Sequence, residues 1–306
     1  MSKKRIIVTT TINPPTEALH KFDAMKDWTL VVAGDQRTPA DFRLKNGVYL
    51  SPHEQEKYHK KFSDLIGWNT IRRRNFGFLI AKDMQADVVA TVDDDNIPLD
   101  DWGQNVFVGE QIEVNYYETS LPCFDPVGAT NYPQLWHRGF PLQLLTERDY
   151  SQRTRKKVRV DVQADFWNGD PDIDAVCRLE HRPWCQFAPD SFPLAANKPA
   201  PFNSQNTFLR GDILQDYFMV PFVGRMDDIW GAYHLQSCGY QVVFNKATVE
   251  QQRNPQDLTK NLKDEFLGYE KTIALVKAMA DGRYSPQEYW PEQSVKAFQC
   301  YQECFS

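Results

Sequence analysis

The stretch Ala86-Asp87-Val88-Val89-Ala90-Thr91-Val92-Asp93-Asp94-Asp95-Asn96-Ile97-Pro98 constrains this chain more than any other. Its apolar, mostly β-branched first half reads as a buried strand, and three consecutive carboxylates stand where that strand runs out. Open α/β sheets bind ligands at the carboxyl ends of their strands, so the acidic triplet falls where chemistry is expected. Three adjacent carboxylates repel one another. A hard divalent cation, Mn2+ or Mg2+, removes that cost and in turn grips a substrate diphosphate. The plainer alternative is a solvated acidic turn that only stops the strand.

The flanking sequence supports an α/β reading. Arg5 to Thr11 reads as a first strand, broken by Asn13-Pro14-Pro15, and Thr16 to Met25 as a short helix with Leu19, Phe22 and Met25 on one side. Trp28 to Ala33 is a second strand closed by Gly34-Asp35, and Gly47 to Leu50 a short third. From Thr70 a helix carrying Arg72-Arg73-Arg74-Asn75 leads to Lys82 and the acidic strand. This β-α-β-β-α-β order predicts a parallel sheet built by crossovers. Beyond Asp100 the periodicity weakens until Gln241 to Phe244, a strand. Leu258, Leu262, Phe266, Tyr269, Ile273 and Val276 then mark one face of a long helix ended by Gly282 and Pro286. The reading is two halves packed as one domain, residues 1–100 on the nucleotide side and 101–306 on the sugar and acceptor side.

Composition limits the function classes. A chain of 306 residues with 42% hydrophobic and 25% charged residues is an ordinary globular protein, and its net charge of −6 argues against general polyanion binding. No apolar run approaches membrane-spanning length and nothing resembles a signal peptide, so the expectation is a cytoplasmic protein without membrane insertion. Six cysteines, at 123, 177, 185, 238, 300 and 304, include no CxxC pair. They read as scattered reduced thiols, and none is given a function.

Several residues can carry chemistry. Asp35, at a second carboxyl edge, can accept hydrogen bonds from a base or ribose; alternatively it is a turn aspartate. Among the three arginines, Arg74 beside Asn75 is the candidate for a phosphate, the other two reading as a solvated face. Arg138 precedes Gly139-Phe140-Pro141, a constrained turn. The cluster Asn203-Ser204-Gln205-Asn206-Thr207 suggests a pocket wall reading sugar hydroxyls, or else a loop of mutually bonded amides. Asp227-Asp228 is a second carboxylate pair, serving as base or acceptor-hydroxyl ligand, or only as a helix cap. The basic segment Arg148 to Arg159 reads as an exposed loop, or as a guide for a polyanionic acceptor. A metal–diphosphate site joins these features: a cation held by Asp93 and Asp95 neutralises the charge on a leaving nucleoside diphosphate. That is the layout of a nucleotide-sugar-dependent transferase with a GT-A type fold, a mostly parallel central sheet flanked by helices with an integrated acceptor half.

The motifs also carry a resemblance. Thr9 to Thr16, Val31 to Asp35, Arg74-Asn75-Phe76-Gly77, Asp93 to Asn96 and Arg253-Asn254 resemble the STELLO-type glycosyltransferase-like proteins. Trp136 to Leu142, Phe166 to Ala175 and Arg225 to Trp230 are similar both to these and to the plant reversibly glycosylated polypeptides, which are UDP-arabinopyranose mutases. The resemblance runs in order from about Ile6 to Tyr269. It implies a divalent metal at Asp93 to Asp95, a UDP-sugar or related donor contacted by Thr9, Thr10, Thr11, Asp35, Arg74, Asn75, Asp93, Asp94 and Asn206, and no flavin. In the mutases the matching arginine is reversibly glycosylated, which points here to Arg138. The chain departs from the mutases at Glu250-Gln251, where they carry a histidine that completes the metal site; Gln or Glu still offers oxygen to Mn2+ or Mg2+. A glycosyltransferase is therefore the leading expectation and a nucleotide-sugar mutase the second. A non-catalytic scaffold ranks last. The expected partners are a nucleotide-sugar donor and an acceptor that is a glycan, a small molecule or a nucleic acid, with self-association left open.

Overall fold

A computed structural model describes residues 3–252 and 256–305. Arg253-Asn254, one of the resembling motifs, lies outside the described residues. The first hundred residues form β1 (Arg5–Thr11), α1 (Glu17–Asp23), β2 (Thr29–Gly34), β3 (Val48–Leu50), α2 (Pro52–Ile66), α3 (Arg74–Asp83), β4 (Val88–Val92) and β5 (Asn96–Pro98). Strands β3, β2, β1 and β4 lie side by side and parallel, as the crossover pattern requires. The register aligns Val8 with both Val31 and Thr91, so Thr11, Gly34 and the acidic triplet emerge together at one sheet edge.

The second half extends the same sheet. After β6 (Gln111–Tyr117) come β7 (Arg153–Arg159), β8 (Val162–Gly169), α4 (Ala175–His181), β9 (Leu194–Ala196) and β10 (Asn206–Arg210). Then follow α5 (Asp227–Ser237), β11 (Val242–Gln251), α6 (Leu258–Ala280), α7 (Pro286–Tyr289) and α8 (Glu292–Glu303). The strand order is β3-β2-β1-β4-β10-β8-β11-β9-β6-β7, with β5 against β11. The sheet is mixed rather than mostly parallel, because β10 runs antiparallel between β4 and β8. That reversal serves the site. It brings the start of β10 beside the end of β4 and turns β8 and its parallel neighbour β11 toward the same edge.

Two local readings are corrected. The basic segment is a strand at the sheet edge: Arg153 to Arg159 pairs with β6, Arg155 binds Glu113 at 2.9 Å, and the Lys156 ammonium sits 4.0 Å from the Tyr116 ring centroid. Charged residues on an edge strand oppose pairing with another chain. The buried face of α6 is Glu265, Gly268, Thr272, Leu275, Val276 and Ala278, and Phe266 points to solvent. Glu265 is inside because it binds Arg225 at 2.8 Å and accepts from the Ala175 N–H at 2.7 Å. Hydrophobic periodicity cannot see a buried ion pair.

Helix α5 carries the second carboxylate pair, and Gly231 lets it lie against the Phe218 backbone. A Cβ at Gly231 would overlap the Phe218 carbonyl oxygen, a backbone atom that cannot swing aside. Gly231→Ala should therefore lower stability by about 2 kcal/mol, the overlap outweighing the roughly 1 kcal/mol of helix propensity that alanine adds. The urea midpoint reads the sign; a gain in stability would refute the close packing.

Candidate functional site

Two cavities open at the sheet edge where β4 ends, with Ile71 in the wall of both. One, of about 260 Å3, is lined by Thr10, Thr11, Ile12, Asn13, Asn69, Thr70 and Asp94. The other, of about 160 Å3, has Asp93, Arg138, Asp172, Ser204, Gln205 and Arg225 in its wall, with Asp227 and Asp228. The strand end thus divides its carboxylates, Asp93 facing one cavity and Asp94 the other.

The division is enforced by partners. Asp93 Oδ1 accepts from Arg74 Nη2 at 2.7 Å, and the Asp93 side chain keeps 31% of its surface exposed. Asp94 Oδ2 accepts from the Thr11 hydroxyl and from Asn13 Nδ2, and burial pushes its carboxyl pKa up against those hydrogen bonds. Asp95 is half-buried and engaged within the molecule. The triplet is therefore no ready-made cage, yet Asp93 Oδ2 takes no protein hydrogen bond among the described residues. One or two carboxylates, with water and substrate phosphates supplying the remaining oxygens, is the donor set Mg2+ accepts, so the residues fit such an ion. Of the residues at the mutase departure, Gln251 lies inward, accepting from Gln205 Nε2 at 2.7 Å and pairing with Asn96 on β5. Glu250 faces a separate hollow with Lys21 and Asp101.

Across the second cavity lies a buried ion network. Arg138 Nε donates to Asp172 Oδ1 at 3.0 Å, Nη2 to Asp172 Oδ2 at 2.9 Å and Asp228 Oδ2 at 3.2 Å, and Nη1 to Asp228 Oδ1 at 3.0 Å and the Arg225 carbonyl. All five guanidinium N–H groups are committed. Burial alone would lower its pKa, but Asp172 and Asp228 more than reverse that, so the group stays a cation. The guanidinium holds Asp172 and Asp228 on either side of it. Asp227 is different: burial first, then the neighbouring Asp228, push its carboxyl up to about 7.

Several residues expected to contact the donor are engaged within the protein. Asp35 accepts from the backbone N–H groups of Gln36 and Asn69, both at 2.7 Å, and of Thr70 at 3.0 Å, and so shapes the rim of the larger cavity. Arg74 is buried behind Asp93 and also donates to Ser204, leaving no fork for a phosphate. Asn75 exchanges two hydrogen bonds with the Met219 backbone, tying α3 to the segment before α5. Asn206 joins Trp102, Phe166 and Thr248 inside the sheet, and Thr9 is fully buried on β1. The arginine run is no solvated face either, since Arg73 is completely buried, 3.5 Å from the Trp68 ring centroid. Thr10 and Thr11 do line a cavity, although their hydroxyls are engaged with Ala33 and Asp94.

Asp172 and Ile71 line the smaller cavity without having been candidates by themselves. Asp172 sits among three alternating carboxylates in Asp170-Pro171-Asp172-Ile173-Asp174, a signal comparable to Asp227-Asp228. The polar cluster ahead of β10 divides its work: Ser204 and Gln205 reach the cavity while Asn206 turns into the core.

No protein-family model matches the chain. It is 25% identical over 187 residues, 57% of its length, to the Arabidopsis thaliana protein named Probable glycosyltransferase STELLO2, and likewise to Probable glycosyltransferase STELLO1. The chain spans about a quarter of those relatives, 24% in each case. Among solved structures it is similar to glucosyl-3-phosphoglycerate synthase from Mycobacterium tuberculosis in complex with phosphoglyceric acid, at a TM-score of 0.42 and 13% identity, covering 92% of this chain and 80% of that one. Over the matched segment, the chain is related to the STELLO-type glycosyltransferase-like proteins.

Proposed function

We propose that this chain is a nucleotide-sugar-dependent glycosyltransferase of the GT-A type. The observation that carries the reading is the pair of cavities meeting at Ile71, with Asp93 and Asp94 facing one each. The nucleotide belongs in the larger cavity, beside Thr10, Thr11 and the 69–71 rim. The sugar belongs in the smaller one, among the carboxylates. Asp93 and Asp95 would hold a divalent ion between them, and such an ion, when bound, supplies charge neutralisation for the departing diphosphate.

The residues of the chain divide the remaining work. Asp228 and Asp172, fixed by Arg138, present carboxylate oxygens to sugar or acceptor hydroxyls. Asp227 takes the proton of the acceptor hydroxyl as that oxygen bonds to the anomeric carbon and the bond from that carbon to the diphosphate oxygen breaks. A carboxyl near neutrality suits proton transfer better than an ordinary surface aspartate. Among the described residues, no helix is long and apolar enough to cross a membrane.

A donor screen with Mn2+ tests the reading, following nucleoside diphosphate release and intact protein mass together. Acceptor-dependent release is expected, with the protein mass unchanged and the release lost on chelation or in Asp93→Asn. Inertness across the donor panel would overturn it, and a one-sugar adduct that vanishes in Arg138→Ala would restore the mutase.

As a base, Asp227 must be ionised, so kcat/KM should climb with pH through about 7 and then flatten. Asp227→Asn should cost about 10²–10⁴-fold and abolish that climb. The linkage has a second sign. A carboxyl whose folded pKa is raised from 3.8 to about 7 stabilises the fold only while protonated, a contribution lost as pH rises through about 7. Relative to the parent, Asp227→Asn should therefore melt higher at alkaline than at acidic pH, and equal melting shifts at both extremes would place this carboxyl outside the buried environment.

A further inference from the structure

At the far end of α5 from the carboxylate pair lies a second cluster of ligand-type side chains. Asp216, His234 and Cys238 each bring a donor atom within 4.8 Å of the others. His234 and Cys238 are one helical turn apart on and just past α5, and Asp216 closes the 3-10 turn Gly211–Asp216 that follows β10. The His234 imidazole is 7% exposed, walled by Tyr284, Trp290 and Phe298. Among the described residues its Nδ1 has no hydrogen-bond partner, and its Nε2 has only the Cys238 sulfur at 4.0 Å. A buried imidazole left this poorly satisfied bears the desolvation cost of a polar group without the return.

We propose that Asp216, His234 and Cys238 form a binding site for a thiophilic divalent cation of the Zn2+ class, a site separate from the Asp93 strand end. Carboxylate, imidazole and thiolate make a tetrahedral donor set when a water takes the fourth position, and Cys238 is exposed, which leaves that position open to solvent. The 4.0 Å separation of sulfur and nitrogen needs only slight closure about such an ion. Two surroundings favour it. The Tyr240 hydroxyl donates to Asp216 Oδ2 at 3.1 Å, the outer-sphere contact that orients a ligating carboxylate. Cys238 caps the C-terminal end of α5, where the helix dipole attracts a cation. Binding displaces the Cys238 thiol proton to solvent and joins sulfur to metal, so no redox partner is needed. The ion would pin the end of α5 to the turn after β10, and so fix the helix whose first residues are Asp227 and Asp228.

Titrating the metal-stripped full chain with Co2+ tests this directly. A near-ultraviolet thiolate-to-cobalt band and tetrahedral visible bands are expected, saturating at about one equivalent and displaced by Zn2+. The band should vanish in Cys238→Ser, an exposed position that tolerates the change, and persist in Asp93→Asn. Tyr240→Phe should weaken Co2+ binding by about tenfold. Zn2+ should raise the melting temperature of the parent chain and leave that of Cys238→Ser unchanged. Absence of the thiolate band at stoichiometric Co2+, or its survival undiminished in Cys238→Ser, overturns the site.

Discussion

The arrangement at the sheet edge depends on the Arg138 guanidinium being shared between Asp172 and Asp228. These groups come from three segments far apart in sequence, and each is at most 8% exposed at its side chain. Two carboxylates cannot be brought this close in so dry a place without a cation between them, since removing one partner leaves an uncompensated buried charge. The bonds continue outward from the clamp. Asp172 accepts from Asn203 Nδ2 at 2.9 Å, and Asp228 Oδ2 from the Ser204 N–H at 3.0 Å. Ser204 in turn receives Arg74, which holds Asp93. The end of β4 and the start of α5 are thus two ends of one connected network.

That connection explains why chemically identical side chains are given different work. Asp228 accepts from both Arg138 and Ser204, whereas Asp227 beside it accepts, among the described residues, only from the Asp228 N–H at 3.1 Å. Burial without a comparable set of donors is what moves the Asp227 carboxyl toward neutrality. In the same way Asp94 is tied to Thr11 and Asn13 while Asp93 retains an outward oxygen. Pairs of titratable groups pushed apart by their surroundings are how one protein assigns acid–base and binding roles to the same residue type.

Much of this was legible in the residues, and the illegible part has a common cause. The parallel first half followed from periodicity and punctuation, and the Asp93 and Asp227-Asp228 positions from carboxylates placed at element ends. Helix α2 was missed although its start is written out: Ser51 accepts from the Glu54 N–H and Glu54 returns to the Ser51 N–H, with Pro52 in the first turn. What composition and spacing could not convey is which polar side chains are consumed by the protein itself. Asp35, Arg74, Asn75 and Asn206 look like ligand contacts in one dimension, and each is engaged by a backbone group or side chain remote in sequence. The reversal of β10, which sets Asn206 among Trp102, Phe166 and Thr248, leaves no mark in local periodicity.

The same accounting supports the proposed transferase over its mutase alternative. A glycosyl carrier must present a lone pair, and an arginine can do so only if its surroundings favour loss of a proton. Here two carboxylates and the Arg225 carbonyl hold every N–H, and each contact is stronger for the charged form. Releasing the side chain would strip Asp172 and Asp228 of their counter-charge at the moment a sugar arrives. In the proposed transferase, anchored carboxylates would meet a sugar with no rearrangement, which a freed arginine would require.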